Sequence, residues 1–337
     1  MTISKCIEFL EIYLDQYEVY PIDQDASLRE YYRIYDTKLD KKYVLMHCPV
    51  DYDSILPFIN VNKYLEFIKV KVPEIFYYSV ENGMILMEDL GSSSARYVLN
   101  CIEDTKDEFV SHFNIKTKKD LYKCLIDALC NIQKNSVLYS DKVVFISNYT
   151  DNNRLKELDI FFNWYFKYQN IDKLSDETVD YVKSVFKDLL YSIRNVGFQT
   201  LVHRDYHIDN LMMCKNSSQT VGVLDFQDAK YGSSIHDIAM LLDDARYYVD
   251  PNFKVEMQEY YLSLNNTVRT DFFDAYDIIS TMTNLRIIGV FSRKVFLEKN
   301  TKYKKFMDNT KKYIIDTLSK NKMMSPISRI ILSHMSM

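Results

Sequence analysis

The chain has 337 residues, of which 47% are hydrophobic and 26% are charged, a composition and length typical of a globular protein with two domains or lobes. Its formal net charge of −5 argues against nucleic-acid binding, because proteins that bind phosphate backbones carry basic surfaces. No apolar run reaches the roughly 18 residues of a membrane span and no signal segment is recognisable, so we expect a cytoplasmic protein without a membrane partner.

The first 90 residues predict a small lobe rich in β-structure. Apolar residues at helical spacing predict a helix over residues 1–20 that ends at Pro21. Two β-hairpins are predicted over residues 28–49 and 72–90, because aromatic and β-branched runs flank short polar turns. Between these hairpins, residues 54–69 have the apolar pattern of a helix.

Helical patterns dominate beyond Gly91. They cover residues 118–133, 154–169 and 177–195, the segment 234–248, and about the last 80 residues. A short β pair interrupts them, formed by Leu201–His203 and residues 220–226. The sequence therefore predicts an α+β fold with a β-rich lobe over 1–90 and a larger helical lobe over 91–337.

The stretch LVHRDYHIDNLMM, residues 201–213, places many titratable side chains between two apolar anchors. It contains Asp205 and Asn210, and Asp225 follows at the end of the next predicted strand. In phosphoryl transfer, this order suits Asp205 as the base for an attacking hydroxyl and the other two as ligands of a divalent cation. Mg²⁺ prefers oxygen donors and retains several waters, so one amide and one carboxylate are sufficient.

Residues 201–213 together with LDFQDAKYGSSIHDIAMLL, residues 224–242, resemble the aminoglycoside phosphotransferase family. The resemblance implies a two-lobed protein-kinase-like fold, with a nucleotide-binding N-terminal lobe and a catalytic, substrate-binding C-terminal lobe. It also implies ATP and Mg²⁺ as cofactors and a small-molecule hydroxyl as acceptor. In that family, the histidine matching His203 supports the catalytic loop and the aspartate matching Asp237 is structural. His207 is then a substrate contact or a loop contact.

Further blocks are similar to the anomeric N-acetylmuramate/N-acetylglucosamine kinases of cell-wall recycling. They include DASLREYYRIYD at 25–36, MEDLG at 87–91 and NLRIIGVFSR at 284–293. This similarity implies transfer of the γ-phosphate of ATP to the C1 hydroxyl of an amino sugar. The alternatives are a kinase of an aminoglycoside, choline or another amino alcohol, and a catalytically silent nucleotide-binding protein. The choice of sugar, ATP versus GTP and the oligomeric state stay open.

The phosphate-binding residues depart from the protein-kinase pattern. No glycine precedes Gly83, so a glycine-rich loop is absent, and Ser27 with neighbouring backbone N–H groups is expected to replace it. Met46 stands where protein kinases have a phosphate-binding lysine, and this substitution motivates the silent alternative. Arg29 is the candidate replacement for that lysine.

The adenine-binding segment is predicted in MILMEDLG. Main-chain groups of Glu88 and Leu90 are expected to bind adenine, and Met87 is expected beside the purine or in the core.

Candidate acceptor contacts are less specific. Asp228 is a metal ligand, a sugar contact or a loop cap, and Arg286 is a contact for an acidic group such as a lactyl carboxylate or a member of a structural ion pair. Glu157, Asp159 and Trp164 share one predicted helix, where the tryptophan either stacks on a sugar or packs in the core.

Overall fold

The structure is a computed structural model that describes residues 2–22, 29–50, 55–104, 113, 115–140, 146–214, 221–265 and 267–335. The described residues form two compact units. Unit 1 contains those of 1–124 and 209–228, and unit 2 contains those of 125–140, 146–208 and 229–335. The segment 209–228 thus returns to unit 1 from the second half of the chain. The predicted lobe boundary at residue 90 stays a prediction.

Unit 1 is built on a five-stranded antiparallel sheet of order β1-β2-β3-β5-β4. The strands are β1 (Tyr17–Pro21), β2 (Glu30–Asp36), β3 (Lys41–His47), β4 (Ile75–Ser79) and β5 (Met84–Glu88). Among the described residues, the helices α1 (Thr2–Glu11), α2 (Ile55–Phe67) and α3 (Ala95–Glu103) accompany it. Both predicted hairpins and the helix between them are confirmed.

The prediction of one helix over residues 1–20 is wrong in its second half. Helix α1 ends at Glu11, and Tyr17–Pro21 forms an edge strand in which Val19 pairs with Ile34. Alternating aromatic and β-branched residues favour a strand here, and tertiary pairing with β2 overrides the helical spacing. Pro21 has no backbone N–H to donate, but it is compatible with this strand because an edge strand pairs on one side only.

Two short hairpin-like pairs replace the single β pair that the sequence predicts around residues 201–226. In unit 2, β6 (Gln199–Val202) pairs with β9 (Lys230–Ser233). In unit 1, β7 (Leu211–Met213) pairs with β8 (Val221–Val223). The apolar run after Asn210 is therefore a strand in its own right, and it takes the partner that the sequence pattern assigns to Leu201–His203.

Helices dominate unit 2. They are α4 (Lys118–Leu138, whose first turns belong to unit 1), α5 (Asp151–Gln169), α6 (Asp176–Ser192), α7 (Ile235–Leu242), α8 (Pro251–Ser263), α9 (Arg269–Leu297), α10 (Lys304–Lys320) and α11 (Ser325–Leu332). The helical predictions are confirmed, except that the segment 234–248 leaves the helix at Leu242. Within the described ranges, no helix combines the length and apolarity needed to cross a membrane.

Helices α5 and α9 approach each other closely at Gly289. A Cβ atom at this position would lie 2.5 Å from the backbone nitrogen of Phe161, a distance at which atoms overlap. The missing side chain therefore allows the two backbones to touch. Glu157 on α5 and Arg286 on α9 lie about one turn from this contact and are held opposite each other by it.

Candidate active site

Residues 203–207, termed the base loop because Asp205 is the predicted base, are anchored by a buried carboxylate. The backbone N–H groups of His203 and Arg204 donate to the two carboxylate oxygens of Asp237, at 2.6 and 3.0 Å. Asp237 is fully buried in the first turn of α7. Burial raises the pKa of Asp237, whereas the two backbone donors and nearby His203 act in the opposite direction.

Arg204 has a strained backbone conformation, and the ion pair of its side chain helps to stabilise that conformation. Its φ of +74° lies in the left-handed region, which costs on the order of 1–3 kcal/mol for a residue with a side chain. Its guanidinium forms an ion pair with Glu157 at 2.5 Å. Glu157 also accepts the hydroxyl hydrogen bond of Tyr149 and lies 3.7 Å from the Nε atom of Arg286.

Three further hydrogen bonds set the course of the base loop around Asp205. The backbone N–H of Asp205 donates to Nδ1 of His203 at 3.2 Å, and that of His207 donates to the carbonyl oxygen of Asp205 at 3.0 Å. Tyr206 is buried, and its hydroxyl donates to the carbonyl oxygen of Leu125 at 2.8 Å. Asp205 is half-buried. Hydrogen bonds hold nearly every residue of the loop that carries it.

A cavity of about 180 Å³ in unit 2 is lined by Asp205 and His207. Its wall also contains two further carboxylates and three cations, which are Asp243, Asp244, Arg246, Arg286 and Lys294. Asp243 has its own cationic partner, Lys254, at 2.9 Å. Apolar side chains complete the wall, including the stacked rings of Phe291 and Tyr303, 5.1 Å apart.

The structure brings only some of the predicted acceptor residues together. Asp205, His207 and Arg286 line the cavity, and Glu157 lies behind it against Arg286. Asp159 forms an ion pair with Lys183, and neither it nor Trp164 lines the cavity.

Trp164 lies beside Phe296 and the ammonium group of Lys167, 4.7 Å from its ring. Asp228 is exposed in unit 1.

Sequence reasoning missed Arg246 and Lys294. A signal for Lys294 was present, because Arg286, Val290 and Lys294 follow at intervals of four, which places them on one face of a helix. Arg246 follows the α7 helix in an irregular turn, where no periodic pattern indicates the direction of a side chain.

In unit 1, Asn210 and Asp225 lie at the same end of the β7–β8 hairpin. Leu211 pairs with Val223, and the next backbone bond joins the N–H of Leu224 to the carbonyl oxygen of Asn210 at 2.9 Å. Asp225 is exposed with a φ of +59°, and its carboxylate accepts a hydrogen bond from the amide of Gln227 at 2.7 Å. One carboxylate and one amide at this end are oxygen donors of the type that Mg²⁺ prefers, so the residues fit that ion.

Arg29 brings a positive charge near Asp225 within unit 1. Burial acts to lower the pKa of Arg29, but interactions with Tyr31, Cys48 and Asp225 outweigh it and raise that pKa overall. Met46 is fully buried in β3, so the position of the kinase lysine carries no charge. Ser27 lies outside the described residues.

The predicted adenine-binding segment is fixed by ion pairs on both sides. Glu88 pairs with Lys71 at 2.5 Å, and its backbone N–H donates to the carbonyl oxygen of Glu74 at 2.8 Å. The next residue, Asp89, accepts two hydrogen bonds from the guanidinium of Arg33, from Nε at 2.6 Å and from Nη2 at 3.2 Å.

The side chains on either side of Glu88 and Asp89 differ in exposure. Met87 is buried, whereas Leu90 is half-buried.

The chain is similar to known proteins over most of its length. Residues 18–273 match the model of the phosphotransferase enzyme family. An N-acetylmuramate/N-acetylglucosamine kinase of Pseudomonas aeruginosa is 30% identical over 284 residues, which cover 82% of this chain and 76% of that protein.

Solved structures show the same fold at low sequence identity. Choline kinase LicA from Streptococcus pneumoniae has a TM-score of 0.62 at 11% identity, covering 95% of this chain and all of that one. The ternary complex of APH(2″)-IIa with streptomycin and ATP has a TM-score of 0.55 at 15% identity, covering 95% and 98%.

The chain therefore belongs to the phosphotransferase enzyme family. It is a small-molecule kinase by that membership and by the relatives it matches, and the predicted two-lobed protein-kinase-like fold is confirmed.

Proposed function

We propose that this protein transfers the γ-phosphate of ATP to the anomeric C1 hydroxyl of N-acetylmuramate or N-acetylglucosamine. The observation that carries the proposal is the small cavity beside Asp205, whose wall contains three cations and three carboxylates. The name of the relative from Pseudomonas aeruginosa supports the same acceptors, and the ATP complex of APH(2″)-IIa supports the nucleotide.

The cavity offers no excess of negative charge to a cationic acceptor. Aminoglycosides, choline and amino alcohols carry positive charge, whereas Arg246, Arg286 and Lys294 match the number of carboxylates in the cavity wall, Asp205, Asp243 and Asp244. Like charges a few ångströms apart repel by about 4 kcal/mol near a protein surface. Asp243 offers little compensation because Lys254 already pairs with it.

The size of the cavity favours a single ring. Its volume of about 180 Å³ is below the roughly 300–1,000 Å³ of sites for drug-sized ligands. A monosaccharide suits this volume better than an aminoglycoside, which is built of several rings.

Asp205 is the proposed base that orients the acceptor hydroxyl and takes its proton. The anchors from His203, Tyr206 and Asp237 hold it in place before substrate binds, which lowers the entropic part of the barrier. An anomeric hydroxyl is more acidic than an ordinary alcohol, so a carboxylate is a sufficient base.

Asn210 and Asp225 are the proposed Mg²⁺ ligands. When bound, Mg²⁺ neutralises charge on the transferring phosphates.

The remaining nucleotide contacts are proposals as well. Arg29 is proposed to contact a phosphate in place of the lysine that Met46 replaces, since its guanidinium is within electrostatic reach of Asp225. Ser27 is proposed as a second phosphate contact. Main-chain groups of Glu88 and Leu90, with the side chain of Met87, are proposed to bind adenine.

The test measures ADP release with Mg²⁺-ATP and a panel of N-acetylmuramate, N-acetylglucosamine, choline and an aminoglycoside, followed by ³¹P NMR of the product. We expect an anomeric phosphate signal with the amino sugars. Asp205→Asn should lower kcat by about 10²–10⁴-fold, the usual contribution of a positioned base. Asp188→Asn, an exposed aspartate of the same unit, is the matched control and should retain full activity.

Two results would contradict the proposal in different ways. Turnover of only choline or the aminoglycoside would keep the kinase and reject the sugar. ATP binding without turnover of any acceptor would favour the silent nucleotide-binding protein.

A further inference from the structure

Helix α9 places three residues of the cavity wall on one stripe. Arg286, Val290 and Lys294 recur every four residues and all line the cavity. At a rise of about 1.5 Å per residue, the Cα atoms of Arg286 and Lys294 are about 12 Å apart. The helix therefore presents two cations to the cavity at well-separated positions along its length.

The two cations on this stripe have different surroundings. Arg286 lies 3.7 Å from Glu157, the carboxylate that also pairs with Arg204 of the base loop. Lys294 instead lies 3.8 Å from Glu298, whose side chain is 44% exposed, and such surface pairs contribute only about 0–1 kcal/mol. Arg286 is thus part of the support of the base loop, whereas Lys294 pairs with an exposed carboxylate on its own helix.

Lys294 is nevertheless not an ordinary surface lysine. Its side chain is only 17% exposed, and its ammonium group lies 5.3 Å from the ring centre of Tyr303, which also lines the cavity. An aromatic neighbour keeps the ammonium group at the wall of the cavity, away from bulk water.

A second cation reaches the cavity from a different element. Arg246 lies in the turn after α7, and its backbone N–H donates to the carboxylate of Asp244 at 2.8 Å, which fixes the turn. Its guanidinium lies 5.8 Å from the ring centre of Phe306. Arg246 and Lys294 therefore bring two positive charges to a cavity wall that also contains Arg286 and three aspartates.

We propose that Lys294 and Arg246 bind a carboxylate on the acceptor and so select N-acetylmuramate over N-acetylglucosamine. The inference rests on the proposed function, because it takes the amino sugar to be held with C1 at Asp205. N-acetylmuramate carries a lactyl carboxylate remote from C1, and N-acetylglucosamine carries a hydroxyl there. Charge-assisted hydrogen bonds to a carboxylate are about twice as strong as neutral ones, so these cations favour the acidic sugar.

The competing explanation is that both cations only balance the aspartates of the cavity. In that case, their removal disturbs Asp205, Asp243 and Asp244 in the same way whichever sugar is bound. Comparing acceptors that differ only in charge separates the two explanations.

The experiment compares kcat/KM for N-acetylmuramate, its lactyl carboxamide and N-acetylglucosamine. The carboxamide has the shape of the acid without its charge. We expect the wild-type protein to prefer the acid over the carboxamide by about tenfold or more, which corresponds to about 1.4 kcal/mol. Lys294→Gln and Arg246→Gln should each remove most of this preference, so that kcat/KM falls several-fold more for the acid than for the carboxamide or N-acetylglucosamine.

Arg293→Gln is the matched control, because Arg293 precedes Lys294 on the same helix and does not line the cavity. It should leave all three ratios unchanged. Equal losses for the three sugars in the Lys294 and Arg246 variants, or no preference for the acid in the wild-type protein, would overturn the inference while the proposed function stands. Failure of the wild-type protein to phosphorylate any of the sugars would reject the proposed function itself, and the inference with it.

Discussion

The base loop of unit 2 and the β7–β8 hairpin end of unit 1 hold their predicted catalytic side chains by different means. In the base loop, the backbone N–H groups of His203, Arg204 and Asp205 all have side-chain acceptors, and Asp237 provides two of these bonds from a fully buried position. At the hairpin end, Asp225 is exposed and accepts from the amide of half-buried Gln227.

The contrast suits the roles proposed for these residues. A base must have its position before the acceptor arrives, because misplacement by about 1 Å costs roughly 10²-fold in rate. A metal ligand is drawn into place by the cation, whose charge is the largest in its site. The base loop is therefore expected to tolerate change poorly, and the hairpin end is expected to tolerate it well.

The largest effect on stability is expected from Asp237→Ala. It leaves the backbone N–H groups of His203 and Arg204 buried without their acceptor, at about 1–3 kcal/mol each. We expect the free energy of unfolding in urea to fall by about 4 kcal/mol. In the folded fraction, we expect kcat to fall by about 100-fold because the loop relaxes around Asp205.

Asp237→Asn separates the loss of stability from the loss of kcat. The amide retains one acceptor oxygen, so its loss of stability should be about half as large. Asp188→Ala, at an exposed position of the same unit, should change neither quantity. A full kcat in Asp237→Ala would show that the base loop does not depend on this carboxylate.

Much of the fold follows from local pattern. The two hairpins of unit 1, helix α2 and the long helices of unit 2 all have strong periodicity and clear turn residues, and the structure confirms them. The strand Tyr17–Pro21 and the partner of Leu201–Val202 were missed for a common reason. Each depends on pairing with residues that the local pattern does not identify, such as Lys230–Ser233.

The relative placement of the candidate site residues was predictable where the motif is continuous in sequence. Asp205 and His207 do line a cavity, and Asn210 and Asp225 do share one end of a hairpin. The wall residues Arg246 and Lys294 come from separate elements, so only the packing of the helices brings them together. Glu157 illustrates the limit of sequence, since nothing local indicates that it pairs with Arg204 and Arg286.

A second test concerns Asp277, a half-buried carboxyl group of unit 2 that has no part in the base loop. Burial raises the pKa of Asp277 to about 6, although Asn321 and Lys254 act to lower it. The folded protein therefore retains a proton that the unfolded chain releases above pH 3.8. Stability from this site is fully present below about pH 4 and is lost as the pH rises through about 6.

Asp277→Asn stays neutral at every pH and still offers an oxygen to Asn321. We expect it to match the wild-type protein near pH 4 and to be more stable by up to about 3 kcal/mol above pH 6, the energy of a shift of about two pKa units. Chemical denaturation at several pH values measures this difference. An advantage that is constant from pH 4 to pH 8 would contradict the assignment.

The third test uses two glycines, one in each unit. A methyl group at Gly289 meets the backbone of Phe161, whereas one at Gly222 meets the side-chain ends of Leu90 and Cys214, which can move. Gly289→Ala should lower the free energy of unfolding by about 1–3 kcal/mol, as overpacking usually does. It should also raise the KM of the acceptor, because Arg286 lies on the same helix about one turn away.

Gly222→Ala should cost less than half as much and leave the acceptor KM unchanged. The comparison needs only urea denaturation and acceptor titration on both variants. Equal losses in the two variants would show that unit 1 is packed as rigidly as unit 2 at these positions.

The smallest effect is expected at the hairpin end, from Gln227→Ala. The amide of Gln227 donates to the carboxylate of Asp225 at 2.7 Å, and its loss should weaken Mg²⁺-dependent ATP binding by about 1 kcal/mol, or roughly fivefold. Calorimetric titration of ATP in the presence of Mg²⁺ measures this affinity, and the Mg²⁺ concentration for half-maximal activity should rise by the same factor.

Stability and kcat at saturating Mg²⁺ should remain at the wild-type level in this variant, because the charge of a bound cation would attract the Asp225 carboxylate without the help of Gln227. Gln199→Ala, at an exposed position of β6, is the control and should leave the Mg²⁺ dependence unchanged. A Gln227→Ala variant that loses kcat without a change in Mg²⁺ dependence would mean that Asp225 needs a fixed position as Asp205 does. The distinction between a rigid base loop and an adaptable hairpin end would then fail.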